Sequence, residues 1–181
     1  MKIETLKNSP KNIVVLIFTI IGVIVFILIN LLIFNPLARS VTTYGILDFE
    51  FAWTKDQILV IFSTWGVEGI FLETIGVYWD FPYIIGYSFF ISGCILLVVR
   101  QFEGKLQRIG LWIFLTPFIA GIFDVIENIN LLIMLNLTPI FPVICPPIAS
   151  ISALIKFGLL GIGIVFFFIT LIIVIGKRIK K

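Results

Sequence analysis

IVVLIFTIIGVIVFILINLLIF, residues 13–34, is an unbroken apolar run whose only strongly polar side chain is Asn30, closed by Asn35-Pro36. About 20 apolar residues span the roughly 30 Å of a bilayer's hydrocarbon as a helix, the element that satisfies every backbone amide internally. The run is too long for a cleaved signal peptide, whose apolar core is about 7 to 15 residues. It therefore predicts a membrane span, and the rest of the chain repeats the pattern.

Three further segments qualify: 81–99, stopped by Arg100; 109–135; and 147–175, closed by Gly176 and the basic tail KRIKK. Pro147 suits the first turn of its helix. Composition agrees, with 60% hydrophobic and 13% charged residues against roughly a quarter charged in a soluble domain. The expectation is one all-α integral membrane domain over 1–181: a four-helix transmembrane bundle with a short helical cap, formed by the outer segment 35–80, between the first and second spans.

Lys and Arg set the orientation. The N-terminal arm holds Lys2, Lys7 and Lys11, the 100–108 loop Arg100, Lys105 and Arg108, and the tail Lys177, Arg178, Lys180 and Lys181. The opposite side carries only Arg39 and Lys55. Ten against two predicts a multi-pass protein of the cell membrane with both termini cytoplasmic. The net charge of +3 follows these flanks, so it speaks of orientation and not of nucleic acid.

Histidine is absent, which removes bis-histidine haem ligation, the usual zinc sites and a Ser-His-Asp triad. Cys94 and Cys145 fall on the order of 20 Å apart in depth, too far for a disulfide. No nucleotide loop or redox motif is present. No cofactor and no resident metal are assigned; the one metal variant to weigh joins Asp48, Glu50, Asp80 and Asp124, whose oxygen ligands would favour magnesium or calcium.

Two features belong to the outer segment. TKDQILVIFSTWG, residues 54–66, opens on a capping box, Thr54 with Gln57, and predicts a short amphipathic helix on the membrane surface or over the bundle mouth. ILDFEF, residues 46–51, alternates Leu47, Phe49 and Phe51 with Asp48 and Glu50, which predicts an extended stretch with both acids on one side.

GIFDVIENIN, residues 121–130, interrupts the third span with Asp124, Glu127 and Asn128 at i, i+3 and i+4, all on one helical face. Gly121, Ala120, Pro117 and Thr116 extend that face, and small residues in lipid mark helix contacts. Lys156 on the fourth span matches the acids in depth, within roughly 12 to 17 Å of the outer boundary. A lone charge there costs about 2.5 to 3.5 kcal/mol, so pairing is expected. Two carboxylates against one lysine leave one acid to be protonated, to bind a cation or to face water.

Asp80, Tyr83, Tyr87 and Cys94 share a face of the second span, where Pro82 is expected to break the backbone. With Asn30 they would complete a polar pocket open to the outside and roofed by NLTPIFPVICPP, residues 136–147. ILDFEFA, a tryptophan-bearing helix, WDFPYIIGY and AGIFDVIEN, in that order over 46–130, resemble a group of small prokaryotic four-span membrane proteins without known activity. The resemblance rests on Asp48, Trp65, Asp80, Pro82, Tyr87, Asp124, Glu127 and Asn128. It implies a four-span fold and that these acids form a set.

The residues leave three functions open, and the sequence settles neither an enzymatic activity nor an oligomeric state. The pocket binds a lipid or other small apolar molecule, with membrane lipids as the natural partners. Alternatively the charges only fix helix packing or dock a partner. The third option is proton- or ion-coupled transport, against which stands the lack of polar groups below Asp124 beyond Thr116 and Trp112.

Overall fold

The computed structural model describes residues 3–40 and 43–179; the predicted flanking charges Lys2, Lys180 and Lys181 lie outside the described residues. The described residues form no strand. After a 3-10 turn, Ile3–Lys7, come α1 (Asn12–Ile29), a π-helical turn (Asn30–Phe34), α2 (Asn35–Ser40), α3 (Ile46–Glu50), α4 (Lys55–Val99), α5 (Gly104–Ile113), α6 (Thr116–Asn136) and α7 (Cys145–Ile179). Four helical stretches are long and apolar enough to cross a membrane: Asn12–Arg39, Lys55–Val99, Gly104–Asn136 and Cys145–Ile179.

Proline explains several departures from the expected boundaries. The first helix does not stop at Asn35-Pro36: it widens into the π-helical turn Asn30–Phe34 just before Pro36 and continues as α2. Pro82 does not break α4, whose one non-helical residue is Gly66, at φ 64°. A proline in mid-helix removes a single donor, and Tyr83 beside it is held in place by Phe26 and Phe34, at ring separations of 5.1 and 5.0 Å. Pro117 has the effect expected of Pro82. Its ring opposes the carbonyl of Ile113, where α5 ends, and the chain turns through Phe114 and Leu115 before α6 begins.

Gly66 divides α4 into rods over 55–65 and 67–99. Its φ lies where only glycine is unstrained. The capping box forms at the start of the first rod: Gln57 N–H donates to Thr54 Oγ1 at 3.3 Å and Thr54 N–H to Gln57 Oε1 at 3.2 Å. That rod packs Ile58, Ile61 and Phe62 onto Phe49, Leu131, Met134 and Phe141. The second rod starts far earlier than residue 81, so much of the presumed outer segment is helix continuous with the second span.

Residues 46–51 are not extended. Gly45 N–H donates to Asp48 Oδ2 at 2.8 Å, a cap that starts the one-turn helix α3. Helical geometry separates the two acids: Asp48 stays exposed while Glu50 is buried. A six-residue alternation is outweighed here by one local hydrogen bond and by burial of Phe49.

Around the second rod of α4 the long helices are arranged unevenly. It packs against α1, α6 and α7, and α6 packs closely on α7, whereas α1 has no comparable packing on α6 or α7. At the end holding the turn Ile3–Lys7 and the close of α7, Arg100 donates from Nε and Nη2 to the Leu6 carbonyl at 2.9 and 2.8 Å, and Leu6, Val15, Ile95, Leu96, Val99 and Leu111 form a core. The opposite end holds α3, the first rod of α4 and residues 137–144.

Candidate functional site

Lys156 is the centre of a buried charge cluster and is only 5% exposed. Its Nζ lies 2.9 Å from Asp124 Oδ1, 2.9 Å from Glu127 Oε2 and 3.4 Å from Glu50 Oε1. The i, i+3 spacing on α6 aims both of its acids at α7. α3 adds the third, held in place by Ser150, whose hydroxyl donates to the Glu50 carbonyl at 2.8 Å. The Tyr87 hydroxyl donates to Asp124 Oδ2 at 2.8 Å, so Asp124 is satisfied by a cation on one oxygen and a hydroxyl on the other.

Glu127 is fully buried, with Oε2 2.9 Å from the Lys156 ammonium and Oε1 without a donor. Glu50 Oε2 is likewise buried without one. Desolvation, the largest influence on Glu50, pushes its carboxyl above the ordinary carboxylate range.

A second polar line runs along α4. Asn128 Nδ2 donates to Asp80 Oδ2 at 2.7 Å, and Asn30 Nδ2 donates to the Tyr83 hydroxyl at 3.2 Å and to the Phe26 carbonyl at 2.9 Å. Ten residues were candidates on sequence grounds: Asp124, Glu127, Asn128, Lys156, Asp80, Tyr83, Tyr87, Asn30, Asp48 and Glu50. Of these, Glu127 and Asn30 stand behind the wall of a common cavity of about 1010 Å³ and the other eight line it. Asp48 contributes at the exposed rim, where it caps α3, and not beside Lys156.

Glu73 belongs to this site and was not singled out in the sequence. It is 5% exposed and lines the cavity, within electrostatic range of Glu50. The signal was present in the spacing: Glu73, Asp80 and Tyr87 recur every seven residues, which keeps them on one helical face. That face could be extended backwards only once α4 was known to run through residue 80.

The cavity is walled by α4, by α7 from Lys156 to Phe168, and by Phe26 and Phe34 of the first helix. Residues 45–48 and Glu50 close it at the polar end. The 136–147 segment is not its roof: Phe141 is buried against Phe62 instead, and Lys55 Nζ donates to the Phe141 carbonyl at 3.0 Å. Below Tyr87 the lining turns apolar, with Ile91, Cys94, Leu160, Ile164 and Phe168. Cys94 and Cys145 are both free. Among the described residues no three acid or thiol side chains are grouped as metal ligands, and Asp48 stands apart from Asp124 at the rim.

No protein family, curated protein or solved structure matches the chain.

Proposed function

We propose that the chain is an integral membrane protein, with both termini cytoplasmic and the first rod of α4 as an outer cap, that receives an amphiphilic lipid-like molecule in the groove between α1 and α7. The observation that carries this reading is a cavity of about 1010 Å³, apolar along most of its length and lined by buried carboxyls at one end. Small-molecule sites measure about 300 to 1,000 Å³, so its size matches a sizeable ligand. An empty space this large and this apolar would forfeit dispersion contacts along its whole lining. In a bilayer it is filled from the side, where α1 and α7 leave each other unpacked.

The polar end divides by role. Asp124, Glu127 and Lys156 tie α6 to α7, and this part of the cluster serves packing. Glu50, Glu73 and Asp80 face the groove, which Asp124 and Lys156 also line. An ion pathway is disfavoured by the lining itself, whose charged members stop at the level of Asp124 and Lys156 and which ends in Cys94, Phe167 and Phe168.

Photolabelling tests the groove. An amphiphile with a diazirine in its chain, irradiated with the protein in lipid nanodiscs, is expected to mark Ile91, Cys94 and Ile164 well above Ile20 and Ile24 on the outward face of α1. Labelling spread evenly over both sets would overturn the reading.

A further inference from the structure

Of the carboxyls Glu50, Glu73 and Asp80 that face the groove, only Glu50 meets a cation, and it shares Lys156 with two other acids. Lys156 is engaged with Asp124 and Glu127 and reaches Glu50 through one oxygen, at 3.4 Å. Glu50 Oε2 is buried without a donor, and the residue is 8% exposed. No ion pair reaches Glu73 or Asp80 among the described residues, and Asp80 has one donor, Asn128. An acidic lining of this kind in a low dielectric repels an anionic head and is stabilised by a positive one.

The size of that positive group is constrained as well. The acids are not grouped as metal ligands, and Glu73 and Asp80 stand two helical turns apart, roughly 10 Å along α4. A single small ion cannot touch both, and neither can one ammonium nitrogen; the two are told apart by the hydrocarbon-lined space beneath the acids, which receives a cation carried on an apolar chain. The cavity below supplies room for hydrocarbon and no further polar partner.

Resting on the groove reading above, we infer that the site selects amphiphiles with an amine head, the ammonium lying among Glu50, Glu73 and Asp80 and the chain passing Ile91, Cys94 and Ile164. The Glu50 Oε2 acceptor then gains its missing donor. The head is carried by a free long-chain amine or by an aminophospholipid, and the two share this chemistry.

Cys94, at the apolar end of the cavity, provides the readout. With the full chain in a detergent-free amphipathic polymer, its alkylation by a small uncharged maleimide is followed by peptide mapping in the presence of dodecylammonium, dodecylphosphoethanolamine, dodecanol or dodecanoate. Dodecylammonium is expected to protect Cys94 at a concentration at least about tenfold below that of dodecanol, with dodecanoate weakest. Equal protection by dodecylphosphoethanolamine identifies a lipid head as the source, and weaker protection a free amine. In Glu73→Gln, which leaves the Lys156 cluster intact, the ammonium should fall to the level of dodecanol; Glu50→Gln repeats the test from the other wall. If ammonium and dodecanol protect equally in the parent protein, the amine assignment fails and the groove stands. If no amphiphile slows alkylation, the groove reading itself fails.

Discussion

Lys156→Met is expected to lower stability by about 3 to 5 kcal/mol, the effect of removing one partner from a buried ion pair. Methionine fills nearly the same space, so the loss is electrostatic and not a cavity. Asp124, Glu127 and Glu50 would be left around a position with no positive charge, two of them within 2.9 Å of it. Proton uptake at Glu50, whose carboxyl burial already raises, relieves part of the penalty, so the thermal midpoint should fall less at low pH than at high pH. Adding Asp124→Asn and Glu127→Gln should restore more than half of the loss, because neutral partners need no buried cation. A midpoint that barely moves in Lys156→Met would mean that the ammonium contributes nothing net to the packing of α6 on α7.

Gly22→Leu should be nearly as damaging, by a different route. A Cβ at Gly22 would meet Gly86 O and Phe90 N of α4, each at 2.7 Å, and neither is a flexible side chain that can swing away. Gly86 is equally tight in return, its Cβ position lying 2.9 Å from Val25 Cγ1 and 3.1 Å from Phe26 N. Overpacking costs typically about 1 to 3 kcal/mol, and a backbone-to-backbone contact belongs at the upper end. Since α1 rests on α4 with no comparable support elsewhere, the substitution should loosen one wall of the groove. The measured consequence would be a lower thermal midpoint together with photolabel spreading from Ile91 and Ile164 onto α1. Retention of both parent values would show that the two helices can separate at no cost.

Much of this arrangement can be read from residue spacing. The four apolar runs each fall within a helical stretch long enough to cross a membrane, the third divided between α5 and α6, and the depth of Lys156 against Asp124 and Glu127 follows from 1.5 Å per residue on antiparallel neighbours. The capping box at Thr54 and Gln57 is a local signal with a local cause. What escaped the sequence depended on which of several similar signals prevailed. Pro36, Pro82 and Pro117 look alike in one dimension, yet only Pro117 accompanies a break. Gly66 carries the bend that Pro82 seemed to offer.

Glu50 and Glu73 show the other limit. Both sit in a stretch with several acids, Asp48, Asp56 and Glu68 among them, and composition makes all of these equally good solvated residues. Burial of Glu50 requires the turn of α3 and the Ser150 hydroxyl, a contact across 100 positions in sequence. Burial of Glu73 requires the second rod of α4 to begin right after Gly66. Neither condition is visible in the residues beside them.

The central claim is that the groove-facing acids are kept for a ligand and not for folding. A thermal midpoint for Glu73→Leu tests it most directly, because this carboxyl is buried in a largely apolar wall without an ion pair. Replacing such a group by an apolar one should leave stability unchanged or raise it, at the expense of ammonium binding. A midpoint lowered as far as that of Lys156→Met would contradict the claim and make Glu73 part of the framework that holds the helices together.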